Sequence, residues 1–222
     1  DPPAVPPICH PTGTDLCWYE ADADVEHAKP PCGELTDSHM WRDSQGRLYT
    51  VMSGGTEIQV WRHKVNGPAD VQVVASAYGL AQGGFSPKGH HVVFYRGPDL
   101  DDEENVKLWR IQSNSSCAGG MWGDQLDIGD YTHFGAAIDP EIGIEYVIVH
   151  DVAADPNVWK CLRKLPAETS FTERGEIVEV ETGYMAGLIV DGSSQHRLVA
   201  TIKTATAMKR FYSQDGGLNW TD

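Results

Sequence analysis

A cluster of carboxylates is the first feature of this sequence that could do chemistry. The stretch DLDDEEN places Asp99, Asp101, Asp102 and Glu103 close together. Closely spaced carboxylates suit a hard cation such as calcium. The spacing does not follow the register of an EF-hand loop, and a solvated β-hairpin tip explains the same composition. Calcium at these four residues is therefore one hypothesis and a plain acidic loop is the other, and no further cofactor is expected.

The cysteines offer a second possible site. There are five of them, without any Cys-x-x-Cys pair. Three fall within the first 32 residues beside His10 and His27, and such a group could in principle ligate zinc. The irregular spacing favours one N-terminal disulfide or free thiols instead. The cysteines are Cys9, Cys17, Cys32, Cys117 and Cys161.

No nucleophile or phosphate loop stands out. Ser86 lies among glycines in GGFSPKG, but Pro87 follows it and the context predicts a hairpin turn, not a nucleophile elbow. The other glycine-rich stretches, SGG, QGG and AGG, lack the lysine and the helix of a P-loop.

Charge and hydropathy exclude two classes of partner. The 222 residues carry 17 basic and 32 acidic side chains, a net charge of -15. Such a surface repels phosphate backbones, so we expect no nucleic-acid partner. The longest apolar runs, such as GLIV and YVIV, are too short to cross a bilayer, so we expect no membrane insertion.

An internal repeat positions all of these residues. Four segments share an apolar strand, a polar turn and a second apolar strand: HMWRDSQGRLYTVM, GGFSPKGHHVVFY, GAAIDPEIGIEYVIV and AGLIVDGSSQHRLVATI. A third strand with a central aromatic follows each, at intervals of about 50 residues, the length of a propeller blade. A fourth strand is predicted in the first three units, at DVQVVASA, GDQLDI and EIVEVE. The aromatics are Trp61, Trp109, Trp159 and Phe211.

This repeat predicts an all-β fold, a β-propeller of four-stranded antiparallel blades. An ordinary β-sandwich is the alternative, but a sandwich does not require the same hairpin and aromatic strand at constant spacing. The predicted repeats cover about 35–80, 81–130, 131–182 and 183–222.

The N-terminal residues form a separate region of the prediction. Residues 1–34 are rich in proline and should run as an extended arm, either a linker or a strap on a neighbouring subunit. Within the arm, residues 15–22 (DLCWYEAD) could lend the strand that closes the last blade. A closed four-bladed ring would result, and a fragment of a longer chain is the alternative.

The last unit resembles the Asp-box (BNR, sialidase-type) repeat family. Ser213, Asp215, Gly217 and Trp220 match its S-x-D-x-G-x-x-W pattern at every fixed position. The resemblance implies a turn between the third and fourth strands of a blade, which acts in folding and not in catalysis. A carboxylate can accept bonds from turn amides, glycine can adopt the turn backbone, and tryptophan can pack against the blade.

The same resemblance implies what an active sialidase would need. Three arginines must converge, with a tyrosine nucleophile, its glutamate partner and an acidic general acid. Arg62, Arg110 and Arg210 are instead predicted on third strands, far from the propeller axis, and only Arg42 falls on a first strand. The Arg-Ile-Pro signature of the family is absent. We therefore expect a protein that is not an enzyme.

The sequence-based interpretation is a structural or recognition propeller, a subunit or fragment of a larger assembly. Blades with turns such as DPEIGIEYVIV are similar to those of bacteriophage tail and fibre proteins and of extracellular adhesins. The resemblance implies an extracellular or virion-associated location, with protein subunits and a cell-surface glycan as partners. A sialidase-type glycoside hydrolase, or a remnant of one, is the alternative. Aromatic residues that could stack on sugars, or lie in the core, are Trp41, Trp122, Tyr131 and Tyr184.

Overall fold

The structure, a computed structural model, contains fifteen strands among the residues that it describes. Those residues are 37–42, 47–53, 57–63, 70–76, 80–99, 101, 105–116, 122–151, 158–177, 183–191, 197–204 and 206–222. The strands are β1 (Asp37–Arg42), β2 (Leu48–Ser53), β3 (Glu57–Arg62), β4 (Asp70–Ser76), β5 (Ala81–Phe85), β6 (His90–Pro98), β7 (Val106–Ser116), β8 (Leu126–Gly129), β9 (Phe134–Ile138), β10 (Glu145–Asp151), β11 (Val158–Lys164), β12 (Thr172–Ile177), β13 (Gly183–Asp191), β14 (Arg197–Thr204) and β15 (Met208–Ser213).

The strands form four antiparallel sheets, each made of strands consecutive in the chain. Three sheets, β1–β4, β5–β8 and β9–β12, have four strands, and the fourth has β13, β14 and β15. The inner strands contact one another in turn, β1 with β5, β5 with β9, and β9 with β13. The sheets are thus the blades of a four-bladed β-propeller, which confirms the predicted fold class. No helix capable of spanning a membrane occurs in the part of the chain that the structure describes.

Each blade packs on its neighbour through apolar side chains that alternate along the strands. Tyr49 and Tyr95 are buried in the first interface, between the first and second blades. Phe94 and Phe134 are buried in the second interface, and Trp159 in the third. As predicted, the repeated aromatic falls on the third strand of every blade, at Trp61, Trp109, Trp159 and Phe211.

Two predicted strands of the outer rim need comment. The fourth strand of the third blade spans Thr172–Ile177, so it begins four residues before the predicted EIVEVE, whose residues after Ile177 lie outside the described part of the chain. In the last blade a single bridge, Tyr212 to Thr221, begins a fourth strand after the Asp-box turn. The arm, residues 1–34, and its proposed closing strand, residues 15–22, lie outside the described residues, as do His10 and His27.

The third and fourth blades approach each other closely at the axis, and one glycine makes this possible. A Cβ atom added to Gly135 on β9 would lie 3.0 Å from the carbonyl carbon and oxygen of Ala186 on β13. Any larger residue would push the backbones of the third and fourth blades apart. At this position glycine is therefore a requirement of packing.

Candidate functional site

The blades have two ends. We call the end at which each inner strand begins the upper end, and the end at which it turns into the second strand the lower end. Near the axis Gln82 joins three blades, since its Oε1 accepts from the Ala136 amide at 2.7 Å and its Nε2 donates to the Ala186 carbonyl at 3.2 Å. The inner strands β5 and β9, AQGGF and FGAAI, contain no ionisable side chain. Along these two strands the axis therefore offers no carboxylate pair for glycoside hydrolysis.

The arginines of the sialidase comparison do not converge among the described residues. Arg62 and Arg210 lie on β3 and β15, third strands of different blades. Arg110, on β7, donates to Glu145 from Nε at 2.9 Å and from Nη2 at 2.6 Å, and Lys164 Nζ lies 3.7 Å from the same carboxylate. This buried ion pair joins the second and third blades at the lower end. It is a clamp between blades and leaves Arg110 no role at the axis.

A charged groove lies at the upper end between the second and third blades. Lys160 Nζ lies 2.9 Å from Asp151 Oδ2 and 3.4 Å from Glu173 Oε2, so one ammonium joins two carboxylates. The hydrogen bond to Asp151 raises the pKa of Lys160 above its usual range. The half-buried Tyr131 packs against the second interface. Burial raises the pKa of Tyr131, and the nearby charge of Asp151 raises it further. We call these four residues the upper groove.

Arg96 lies on the second blade near the same end. It shares a face of β6 with Phe94, which packs in the second interface, and its backbone amide donates to the Leu80 carbonyl at 3.2 Å. Burial lowers the pKa of the guanidinium, and its Nε has no hydrogen-bond partner in the described part of the chain. A cation held this way can donate to an oxygen-rich ligand.

Two histidines occupy the opposite face of the third blade at the same end. The His150 amide donates to the His133 carbonyl at 3.0 Å, and the two ring centroids are 6.2 Å apart. The His150 ring stacks on Trp159 at 5.2 Å and is 1% exposed, and neither ring nitrogen has a partner among the described residues. Burial lowers the pKa of both histidines, and for His133 the charges of His150 and Arg96 add to this. The pair is therefore held neutral.

The Asp-box residues form one hydrogen-bonded turn at the lower end of the fourth blade. Asp215 Oδ1 accepts from the Ser213 hydroxyl at 2.8 Å and from the amides of Leu218 and Asn219 at 3.0 Å. Its Oδ2 accepts from the Asn219 side chain at 2.6 Å. Partial burial opposes ionisation, but the bonds from Asn219, Ser213 and Leu218 outweigh it and lower the pKa of Asp215 to about 2.

The same turn fastens the fourth blade to the third. Gly217 has a φ of 87°, and a Cβ atom there would lie 2.4 Å from the Cys161 sulfur. Trp220 donates to the Gly217 carbonyl at 3.1 Å and packs against the third interface. A Cβ atom on Gly175 of β12 would lie 2.3 Å from the Leu218 carbonyl oxygen. The turn is thus a structural contact between the third and fourth blades.

The predicted calcium residues are partly engaged by a lysine. Lys107 Nζ lies 2.9 Å from both Asp99 and Asp127, and the Asp101 amide donates to Asp99 at 3.1 Å. Asp102 and Glu103 lie outside the described residues. Within the described ranges no group of three histidines, cysteines or acidic residues could hold a metal ion. Calcium at this loop stays a prediction.

The four predicted stacking residues lie in different places. Trp41 is buried in the first interface, stacked on Tyr49 with ring centroids 6.0 Å apart. Trp122 is half-buried against the same interface, and Tyr131 lies in the upper groove. The side chain of Tyr184 lies outside the described residues. Only Tyr131 is thus seen beside charged groups that could bind a ligand.

Sequence reasoning missed the partners of Tyr131. One signal was available: β10 ends in His150 and Asp151, while the stretch DYTHF leads into β9. Antiparallel pairing of these strands brings both to the upper end. The positions of Lys160 and Glu173 depend on the register of β11 and β12, and this register could not be predicted from the sequence.

No protein-family profile matches the chain, and no curated protein matches its sequence. Solved structures match in fold. A protein of unknown function from Dyadobacter fermentans has a TM-score of 0.62 at 14% identity, covering 84% of this chain and 67% of that one. For an α-L-arabinofuranosidase from Lactobacillus brevis the TM-score is 0.53 at 12% identity, covering 84% and 71%. For a thermostable family-43 glycoside hydrolase it is 0.50 at 10% identity, covering 86% and 73%.

At these identities the comparisons show the fold, a propeller shared with glycoside hydrolases. The Asp-box resemblance therefore rests on the residues of the last turn. None of these three structures is described as a virion tail, fibre or adhesin protein, so that interpretation, with its extracellular or virion-associated location and its subunit partners, stays a prediction.

Proposed function

We propose that the protein binds a carbohydrate in the upper groove. The observation that carries this proposal is the half-buried Tyr131 beside two carboxylates that share Lys160. An aromatic ring offers its face to the C–H surface of a sugar, while carboxylates and an ammonium exchange hydrogen bonds with hydroxyl groups. A few polar groups around an apolar surface are the usual composition of a small-molecule site.

The charge of the molecule narrows the class of carbohydrate. A net charge of -15 disfavours polyanionic glycans, and the ammonium of Lys160 is already paired with Asp151 and Glu173. A neutral oligosaccharide fits these conditions best. The fold supports the same direction, because two of the similar structures are glycoside hydrolases, one of them an α-L-arabinofuranosidase.

Binding to a panel of neutral oligosaccharides, including arabinose-containing ones, tests the proposal. The best ligand of the panel would be titrated by calorimetry against wild type, Tyr131→Ala and Lys160→Met. We expect each substitution to weaken binding at least tenfold, which is about 1.4 kcal/mol. Tyr212→Ala, an exposed tyrosine on another blade, is the matched control and should bind as wild type. A panel without any ligand would overturn the proposal.

Glycoside hydrolysis is a second candidate, favoured by the two carboxylates gathered around Lys160. Glycosidases use a pair of acidic residues, one of which must be protonated to act as the acid. Lys160 is paired with both Asp151 and Glu173, an arrangement that suits binding better than hydrolysis. Release of reducing sugar that disappears in Asp151→Asn and in Glu173→Gln would establish the hydrolase, whereas binding without release would exclude it.

A further inference from the structure

Two arginines lie at the lower end of the third blade, on the face that is turned to the fourth blade. The first, Arg163 on β11, pairs with Tyr146 of β10 and alternates with Cys161, so these three side chains share one face. Tyr146 and Cys161 are both buried in the third interface. The ion pair of Arg110 with Glu145 lies on the other face of this blade, so the sheet separates Arg163 from it.

A β-bulge brings the second arginine, Arg174 on β12, to the same face. Cys161 pairs with Gly175, but the next residue of β11, Leu162, pairs with Glu173, so Arg174 is the extra residue of the bulge. A bulge turns a side chain out of the strict alternation of a strand. In agreement with this placement, burial raises the pKa of Cys161 to about 12, and the nearby charges of Arg174 and Arg163 oppose the rise.

Neither guanidinium has a partner in the described part of the chain. The Nε atoms of Arg163 and Arg174 are both buried without a hydrogen bond, although each side chain as a whole is half-buried. No described carboxylate lies within ion-pair distance of either one. The oxygens of Asp215 already accept hydrogen bonds from its own turn. Two neighbouring cations that have lost part of their hydration repel each other, and an anion between them removes this cost.

The hydroxyl group of Tyr146 adds a third donor. It lies against the Asp-box turn, because a Cβ atom added to Gly216 would be 3.2 Å from the hydroxyl oxygen. Burial raises the pKa of Tyr146, so the hydroxyl keeps its proton at neutral pH and can donate it in a hydrogen bond. Two planar guanidinium groups and a hydroxyl group are the donors that phosphate and sulfate oxygens prefer.

We propose that Arg163, Arg174 and Tyr146 bind a doubly charged oxyanion, a phosphate or sulfate group, where the third blade meets the Asp-box turn. We call these three residues the junction site. Its two positive charges match a dianion, whereas a single carboxylate would leave one of them uncompensated. The junction site lies at the opposite end of the blades from the upper groove, so it is independent of carbohydrate binding there.

A nuclear magnetic resonance titration of the full chain with inorganic phosphate tests the proposal. At about pH 7.5 phosphate is mostly a dianion, and sodium chloride keeps the ionic strength constant. We expect saturable shifts of the Nε–H signals of Arg163 and Arg174 and of the Gly175 and Gly216 amides. Sulfate should shift the same signals.

Three variants assign the binding to the junction site. Arg163→Gln and Arg174→Gln should each weaken phosphate binding at least tenfold, which is about 1.4 kcal/mol. Tyr146→Phe keeps the buried ring and removes one neutral hydrogen bond, so it should weaken binding by about threefold to tenfold. Arg210→Gln makes the same change of charge at an exposed position of the fourth blade, and this control should bind as wild type.

Two further anions sharpen the result. Acetate carries one charge and should bind at least tenfold more weakly than phosphate. Methyl phosphate distinguishes the source of the group: binding as tight as that of phosphate supports an ester as the ligand, and weaker binding supports the free ion. The proposal would be overturned by shifts that do not saturate, by phosphate binding that survives both Arg163→Gln and Arg174→Gln, or by acetate binding as tight as that of phosphate.

Discussion

The two faces of the fourth blade differ although the same three strands supply both. Towards the third blade, Leu198, Ala200 and Ile202 are fully buried around Trp159 and Phe211. Towards the other side, alternate residues of the same strands are exposed, among them Ile189 and Met208. Since side chains alternate with a period of two, one register fixes both faces at once.

The contrast teaches where the stability of the blade originates. On the inner face, apolar burial, the axial contact of Gly135 with Ala186 and the Asp-box turn all tie the fourth blade to the third. On the opposite face the described residues contribute exposed apolar surface and positive charge. Substitutions should therefore be costly on the inner face and mild on the outer one.

Leu198→Ala should have the largest effect of the changes considered. Leu198 is fully buried in the third interface, so the truncation leaves a cavity and should lower the free energy of unfolding by about 2–5 kcal/mol. Chemical denaturation measures this directly. Leu218→Ala, the same change at an exposed position of the box turn, is the control and should stay within about 0.5 kcal/mol. Equal effects of the two would refute the contrast between the faces.

Asp215→Ala should have the next largest effect. It removes the acceptor for the Ser213 hydroxyl and for the Leu218 and Asn219 amides, and should cost about 1–3 kcal/mol. The neighbouring exposed Gln214→Ala is the control, measured in the same denaturation experiment. An unchanged midpoint for Asp215→Ala would mean that the turn does not fasten the blade.

The recurring aromatic of the third strands and the Asp-box turn could both be predicted from the sequence, because the first is periodic and the second is local. Trp61, Trp109 and Trp159 recur because every blade needs a large side chain on its third strand. The box turn closes within eight residues, so Ser213 and Asp215 could be identified as partners without knowledge of the sheet.

The upper groove was not predictable in the same way. Tyr131, Asp151, Lys160 and Glu173 come from four segments that only the strand register brings together. The register also shifts at Cys161 and Leu162, where β11 pairs with β12. The start of the fourth strand of the third blade was missed for a related reason. TERGEI is polar and contains Gly175, which close approach to Leu218 requires, so its pattern does not resemble a strand.

The third prediction is that stability depends on pH through His133 and His150, at the upper end of the third blade. The folded-state pKa of both His133 and His150 lies below the usual 6.5, so the unfolded chain binds protons more readily. Stability should thus be constant above pH 6.5 and fall as the pH decreases below it, by at most about 1.4 kcal/mol per pH unit for each histidine.

Thermal unfolding between pH 7.5 and 5 tests this, with His150→Phe as the informative variant. Phenylalanine can keep the stack on Trp159 without a titratable ring, so the variant should lose part of the pH dependence. His63→Phe in the first blade is the control. If the pH dependence of stability persists unchanged in His150→Phe, it belongs to other titratable groups.

The carboxylate of the Asp-box turn acts in a different pH range. With a pKa of about 2, Asp215 stabilises the fold above pH 4 and loses this effect only as the pH falls towards 2.

The smallest effect is expected on the face of the fourth blade turned away from the third, at Ile189. Because its side chain is largely exposed, Ile189→Ser should cost less than about 1 kcal/mol, well below Leu198→Ala. Chemical denaturation of the two variants side by side measures the difference. A cost at Ile189 as large as that at Leu198 would mean that the exposed face contributes to the stability of the blade as much as the buried one, and that strand alternation does not decide where substitutions are costly.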